Sequence, residues 1–374
     1  MTIEYALTDR QTDRQTDNRN YGIDALRLLS MFFVTVLHTI GHGGVIDNTV
    51  GIKNDMLSLV RIIAYCAVNC YAIISGFVMY SDQEKPYRYS KYITMWIQVF
   101  FYSFGIGLLM FLIKGNDSIA LKELVKLALP VSTKRYWYFS AYTGLFFIVP
   151  FVNKFVRGLS RKSSTIFVIV LFVLFVCYGR SGSFYLNSGY SSAWLIIMYM
   201  FGAWLKKCDI IQKVSCSYSW GGLIAFTLVT WLFKILSPIG ENLFVSYISP
   251  TIVLNAICWI LIFARMNINS IFKRIIKFLS PAAFGVYLIH EHDIIKRNFI
   301  SDKFIWIAKL DWWLIPLVVL GCAFCIFAVC LFVERIRLSL FSTLRINKLA
   351  EKICYKFEVF IRKFVNKICD CMND

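Results

Sequence analysis

Three ionisable residues, Asp24, Arg27 and His38, lie in the first long apolar run of the chain, Tyr21 to His38. Charge inside lipid is costly, so such residues mark a functional site by default. Arg27 and His38 are eleven residues apart. At ~100° and ~1.5 Å per residue that is three turns plus ~20°, so both project from one helix face, roughly 16 Å apart along the axis. One helix then carries a permanent cation near one membrane surface and a titratable base near the other. An imidazole with a near-neutral pKa suits proton abstraction from a hydroxyl. A plainer reading stands beside this one. Asp24 and Arg27 also read as an interfacial i, i+3 ion pair, and His38 as a histidine bonded to a neighbouring helix. His42 shares the His38 face at i+4. Two such histidines can bind a metal, but the sequence offers no third ligand, so no metal is expected. His290-Glu291-His292 lacks the spacing of a zinc-protease motif.

Other candidates lie further along. Ser75-Gly76-Phe77 reads as a packing or pore-lining site, because Gly76 permits close helix approach and Ser75 can bond across helices. Tyr136-Trp137-Tyr138, with Tyr185, Tyr190, Trp194, Trp306, Trp312 and Trp313, forms an aromatic set on one side of the membrane. An interfacial belt accounts for many of these, and some can stack on sugar faces. His290 and Glu291 sit where a short span ends. They either orient an acceptor or bond a neighbouring loop. Arg88 and Lys91 place two cations on the opposite side.

The elements that hold these residues are membrane helices. The 374 residues are 58% hydrophobic and 17% charged, against about 25% charged in soluble domains. Mean hydropathy is +0.62. The apolar residues form continuous runs rather than alternating ones, which argues against a β-barrel. We expect an all-α polytopic membrane protein with ten spans, at about 23–43, 58–80, 92–113, 136–153, 164–180, 191–206, 217–237, 246–264, 281–295 and 312–333. The ninth is short, with Pro281 suited to a first helical turn. Basic residues collect in alternate connections and in the tail, which places both termini in the cytosol. This distribution also accounts for the net charge of +18, so nucleic acid is not expected as a partner. Most of the twelve cysteines lie within spans and read as core, including Cys322-Ala-Phe-Cys325. Residues 1–20 repeat Thr-Asp-Arg-Gln and read as a disordered leader without a cleavable signal. Residues 21–335 form the membrane domain. The tail, 336–374, alternates Ile353, Tyr355, Phe357, Phe360, Ile361, Phe364 and Ile368 with lysines and arginines, as a basic amphipathic helix on the lipid bilayer.

Four blocks carry a resemblance. They are Ile23-Asp24-x-x-Arg27 followed by His38; Ser75-Gly76-Phe77; Tyr136-Trp137-Tyr138 with Pro150 downstream; and Phe284-Gly285-Val286-Tyr287-Leu288-Ile289-His290. In this order, over about residues 21–335, the chain resembles the acyltransferase-3 family of integral membrane acyltransferases. The resemblance implies a ten-helix membrane domain with cytosolic termini. It implies transfer of an acyl group, usually acetyl from acetyl-CoA, to hydroxyls of cell-envelope carbohydrates, with Arg27 and His38 important to catalysis. The family's cytosolic Arg-x-x-Arg patch is altered here to Arg88-Tyr89-Ser90-Lys91. Lys91 keeps the charge and loses the forked geometry.

The expected function is therefore a membrane O-acyltransferase of the bacterial plasma membrane. Acyl-CoA serves as co-substrate, with no permanently bound cofactor. A cell-envelope or exported polysaccharide is the acceptor, and polysaccharide-biosynthesis proteins are expected partners. Arg27, Arg88 and Lys91 would meet the donor phosphates, with Asp24 holding Arg27, and His38 would be the base. Ser75, Tyr136, Trp137, Tyr138, His290 and Glu291 would line the acceptor side. A glycan transporter or flippase is the rival class. Transporters often carry internal repeats, and no convincing repeat relates residues 21–180 to 181–335.

Overall fold

The computed structural model describes residues 19–114, 121–179, 182, 184–237 and 244–373, and these are all-helical. The leader expected to be disordered lies outside the described residues up to position 18. Arg19 and Asn20, at its end, are tied into the fold. The Asn20 side chain caps the first helix by accepting from the Ile23 N–H at 3.0 Å, which satisfies one of the open amides of a helix start.

The longer helices are numbered here in chain order. They are α1 Tyr21–Ile40, α2 Ile52–Tyr65, α3 Ala67–Met79, α4 Ser90–Lys114, α5 Leu121–Leu127, α6 Trp137–Gly158 and α7 Arg161–Leu171. Then follow α8 Ser192–Lys207, α9 Cys216–Leu236, α10 Pro250–Ala264, α11 Ser270–Leu279, α12 Ala283–His290, α13 Leu314–Thr343 and α14 Ile346–Asn373. Among the described residues, six helical stretches are long and apolar enough to cross a membrane: Tyr21–Ile40, Ile52–Met79, Ser90–Ile113, Trp137–Gly158, Cys216–Leu236 and Leu314–Thr343. The other four expected spans are shorter helices. The run 164–180 is α7 continued by wider π turns at Phe172–Cys177. The run 191–206 is the 16-residue α8, and 246–264 contains the 15-residue α10. The run 281–295 contains the 8-residue α12, with Pro281 in the turn just before it. Hydropathy measures apolarity, and α8, α10 and α12 are apolar mainly because other helices cover them. Trp194, Leu195, Met198, Tyr199 and Leu205 on α8 are all fully buried.

Helix α1 is the hub. It packs against α2, α3, α10, α12 and α13. Gly22 makes the α10 contact possible, since a Cβ there would lie 1.8 Å from the Phe263 carbonyl oxygen. Helices α3 and α8 meet through a reciprocal pair. A Cβ on Gly76 would lie 1.9 Å from the Tyr199 oxygen, and a Cβ on Gly202 would lie 1.9 Å from the Ile73 oxygen. Small residues let backbones approach where lipid supplies no hydrophobic drive between helices. Gly76 therefore serves the packing role expected of it. Ser75 bonds its own helix, donating to the Tyr71 carbonyl at 2.9 Å.

Buried polar groups complete the frame. Asn69 donates to the Tyr247 carbonyl at 2.8 Å and accepts from Trp194 Nε1 at 2.9 Å. Glu334 on α13 is fully buried and paired with Arg337. It also accepts from Gln98 Nε2 at 3.0 Å and from the Tyr102 hydroxyl at 2.7 Å. An unpaired carboxylate at this depth would be costly, and here both oxygens are satisfied. Its carboxyl group rests on Gly285 of α12, where any Cβ would collide with it. That contact sets the depth at which α12 sits against α13.

The tail forms α14, packed against α4 through an edge that buries Ala350 and Cys354. Ile353, Tyr355, Phe357 and Phe360 are exposed. The side chains of Ile361, Phe364 and Ile368 lie outside the described residues. Cys322 and Cys325 are free thiols.

Candidate active site

The N-terminal end of α1 gathers cations around one carboxylate. Asp24 is buried, with 4% of its surface exposed. Its Oδ1 accepts from Arg27 Nη1 at 2.8 Å, and its Oδ2 accepts from Arg19 Nε at 2.5 Å. The ion pair expected between Asp24 and Arg27 is thus present, with a second arginine on the other oxygen. The sequence carried only a faint signal for Arg19, a lone basic residue just before the helix cap. Arg27 keeps about a third of its side chain exposed. Lys91 lies within electrostatic range of both Arg88 and Arg27, so the three expected cations share one region.

The C-terminal end of α1 meets the end of α12. His38 Nδ1 lies 2.8 Å from His290 Nε2. His290 Nδ1 lies 2.6 Å from the Val286 carbonyl oxygen, one turn back on α12. A carbonyl only accepts, so His290 carries its proton on Nδ1 and presents the Nε2 lone pair to His38. His38 must then donate from Nδ1. A neutral imidazole protonated at Nδ1 has its lone pair on Nε2. The His38 side chain is 19% exposed. Both inward-facing histidines are therefore fixed in tautomer by one backbone carbonyl.

Glu291 closes the cluster. Its Oε1 pairs with Lys296 Nζ at 2.6 Å. Its Oε2 lies 3.1 Å from His38 Nδ1 and 3.6 Å from His42 Nε2. Neither approach has hydrogen-bonding geometry, and Oε2 is a buried oxygen without a hydrogen-bond partner. The carboxylate thus acts on His38 through charge at short range. Partial burial holds His42 below its ordinary value, against the pull of the Glu291 carboxylate. His292 is buried and committed elsewhere, with Nε2 3.1 Å from the Ser103 carbonyl and Nδ1 accepting from the Ile294 N–H. Lys296 stood out in the sequence only as one more basic loop residue.

A wall of phenols joins the two ends. Tyr142 and Tyr138 stack with ring centres 6.2 Å apart. Tyr138 meets Tyr71 at 6.1 Å and Tyr287 at 6.4 Å, and Tyr287 meets His290 at 6.3 Å. Tyr71 donates to the Arg27 carbonyl at 2.8 Å. Ser75 lies beside the Tyr142 phenol, so it joins this wall. The Tyr287 hydroxyl is buried without a partner. Tyr71 and Tyr142 carry no signal in the sequence, and Tyr287 enters only within the Phe284–His290 block, because their helices interleave only in three dimensions.

The aromatic block Tyr136-Trp137-Tyr138 divides in role. Tyr136 is buried and gives its hydroxyl to the Leu288 carbonyl at 2.9 Å, which pins α6 to α12. Trp137 packs on Tyr190 and Tyr247 at 4.5 and 6.2 Å. Tyr138 belongs to the phenol wall. Trp194, expected among the outer aromatics, is fully buried beside Asn69, because it serves as the core anchor of α8. Tyr185, Trp306, Trp312 and Trp313 are exposed.

A family model described as an acyltransferase domain matches residues 20–335. Comparison with curated proteins and with solved structures gives no match. The matched span holds both ends of α1, the phenol wall and the His38–His290–Glu291 cluster.

Proposed function

The chain belongs to the acyltransferase-3 family of membrane acyltransferases, and on that premise we propose that it transfers acetyl from cytosolic acetyl-CoA to a hydroxyl of a cell-envelope or exported carbohydrate. The observation that carries the chemistry is the fixed tautomer of His38. With the proton on Nδ1, Nε2 is the base.

The reaction follows from that atom. The acceptor hydroxyl gives its proton to His38 Nε2 as its oxygen attacks the thioester carbonyl carbon. The resulting imidazolium faces the Glu291 carboxylate at 3.1 Å. That charge stabilises the cation where water is scarce. The tetrahedral intermediate collapses, the carbon–sulfur bond breaks, and the CoA sulfur takes the proton back from Nε2. The products are the ester and CoA–SH, and the enzyme returns to its starting state without an acyl-enzyme.

The donor's anionic end suits the inner cluster. Arg27, Arg88 and Lys91 are like charges in one region, and an anion placed among them relieves their repulsion. Arginine is the stronger phosphate ligand of the two types. The long pantetheine arm then follows the phenol wall from Arg27 toward His38, about 16 Å along α1. Tyr138, Tyr142 and Ser75 line the wall, and the free Tyr287 hydroxyl stands at its outer end.

The test uses membranes containing the protein, labelled acetyl-CoA and envelope carbohydrate. Label should pass to carbohydrate with the unmodified protein and fail to pass with His38→Ala at equal protein level. Undiminished transfer by His38→Ala would remove the mechanism.

A further inference from the structure

We propose that His38, His42 and Glu291 form a binding site for a divalent transition metal of the zinc class, and that occupation of this site switches acyl transfer off. The second half rests on the reading of His38 as the base, and the first half does not.

The three side chains converge on one point. Each offers a ligand atom, and these atoms lie within 4.8 Å of one another. Glu291 Oε2 stands 3.1 Å from His38 Nδ1 and 3.6 Å from His42 Nε2. Zinc bonds of ~2.0–2.1 Å in a tetrahedron give ligand-to-ligand edges of about 3.3 Å. The two carboxylate–imidazole separations bracket that edge. The two imidazole rings lie 4.8 Å apart, on one side of the end of α1.

A second observation points to a ligand. Glu291 Oε2 is buried and has no hydrogen-bond partner, whereas Oε1 is held by Lys296 at 2.6 Å. Buried carboxylate oxygens are normally satisfied. This one is aimed at two imidazoles that do not bond it. Lys296 acts as the outer partner that fixes a ligating carboxylate in place. Two nitrogens and one oxygen select zinc, cobalt, nickel or copper over magnesium and calcium, which take oxygen shells. An entry path exists, since the His42 side chain is 42% exposed.

The chemical consequence follows from the tautomer. A metal on His38 Nδ1 takes the place of the proton that Nδ1 now directs at His290. The neutral imidazole then carries that single proton on Nε2 instead, the atom that must be bare to accept one from the acceptor hydroxyl. Metal and substrate proton compete for one ring.

The experiment uses the full chain purified in detergent, with Co2+ as the probe and labelled acetyl transfer as a second readout. Tetrahedral cobalt absorbs intensely in the visible. One equivalent of Co2+ should develop that band, and Zn2+ should abolish it by displacement. His42→Ala should weaken cobalt binding by about tenfold or more, since a protein ligand is lost. The same variant should transfer acetyl at the unmodified rate and resist a zinc concentration that stops the unmodified protein. His42→Gln provides a second variant if alanine impairs folding. A missing one-equivalent band, or a band unchanged in both His42 variants, overturns the site. Full activity at saturating zinc overturns the switch. If His38→Ala transfers acetyl normally, the base assignment fails, while the cobalt band still decides the metal site.

Discussion

His38 and His290 face each other nitrogen to nitrogen, 2.8 Å apart, and the Val286 carbonyl decides which of them donates. Replacing His290 by Phe removes the acceptor and frees the His38 ring. We expect kcat for acetyl transfer to fall about tenfold or more, with KM for acetyl-CoA nearly unchanged. Steady-state kinetics on purified protein checks the split. A parallel rise in KM would assign His290 to donor binding instead.

Glu291→Gln keeps the shape of the side chain and removes its charge. Without that charge the His38 imidazolium is less favoured in the transition state. A kcat loss of about tenfold to a hundredfold is expected, smaller than the ~10²–10⁴ loss from His38→Ala. Equal losses in both variants would mean that the two residues act as one unit.

Arg27 stands among the cations at the N-terminal end of α1, far from the proposed reaction end at His38. Arg27→Ala should raise KM for acetyl-CoA by about tenfold or more with a smaller change in kcat. Arg27→Lys should recover part of that loss, because charge returns without the fork. A pure kcat defect would detach Arg27 from donor binding.

Gly76 and Gly202 leave no room for a methyl group. Gly202→Val places carbon against the Ile73 carbonyl and should cost about 1–3 kcal/mol or more. The melting temperature in detergent should fall, and Gly76→Ala should show the same effect from the other face. An unchanged melting temperature in both would show that α3 and α8 can separate freely.

Arg135 joins Glu123 of the α5 region to Asp293 beyond α12. Hydrogen bonds from Lys126 and Arg135 hold the Glu123 carboxyl below the usual carboxylate range. A carboxyl lowered on folding contributes stability above its ordinary value, and that stability is lost as pH falls through the folded value. Glu123→Gln lacks the contribution at every pH. The melting-temperature gap between the two proteins should therefore close on acidification below about pH 4.5.

Much of this was legible in the sequence. Asp24, Arg27 and His38 fall on one helix, and helical periodicity alone places the last two on one face. The pairing of His38 with His290 and Glu291 was not, because it joins residues 252 positions apart in the chain. The sequence leaves the roles of His290 and Glu291 open, and tertiary packing gives them a common partner in His38. Helix lengths misled for a different reason. Hydropathy cannot separate a helix covered by lipid from one covered by protein, so α10 and α12 read longer than they are. Trp194 carried the same ambiguity, since an indole at a helix start is either a membrane anchor or a core plug.

The interlock of Gly76 with Gly202 bears on what kind of machine this is. Carriers that expose a site alternately to each side need a plane of slip between two halves of the chain. Here α3 from the first half and α8 from the second touch backbone to backbone, each seated in a notch on the other. Sliding one past the other would drive each helix's carbonyls into the other's backbone. Under the proposed function the frame stays still while a slender donor arm does the travelling, which is the behaviour of a stationary workbench rather than a revolving door.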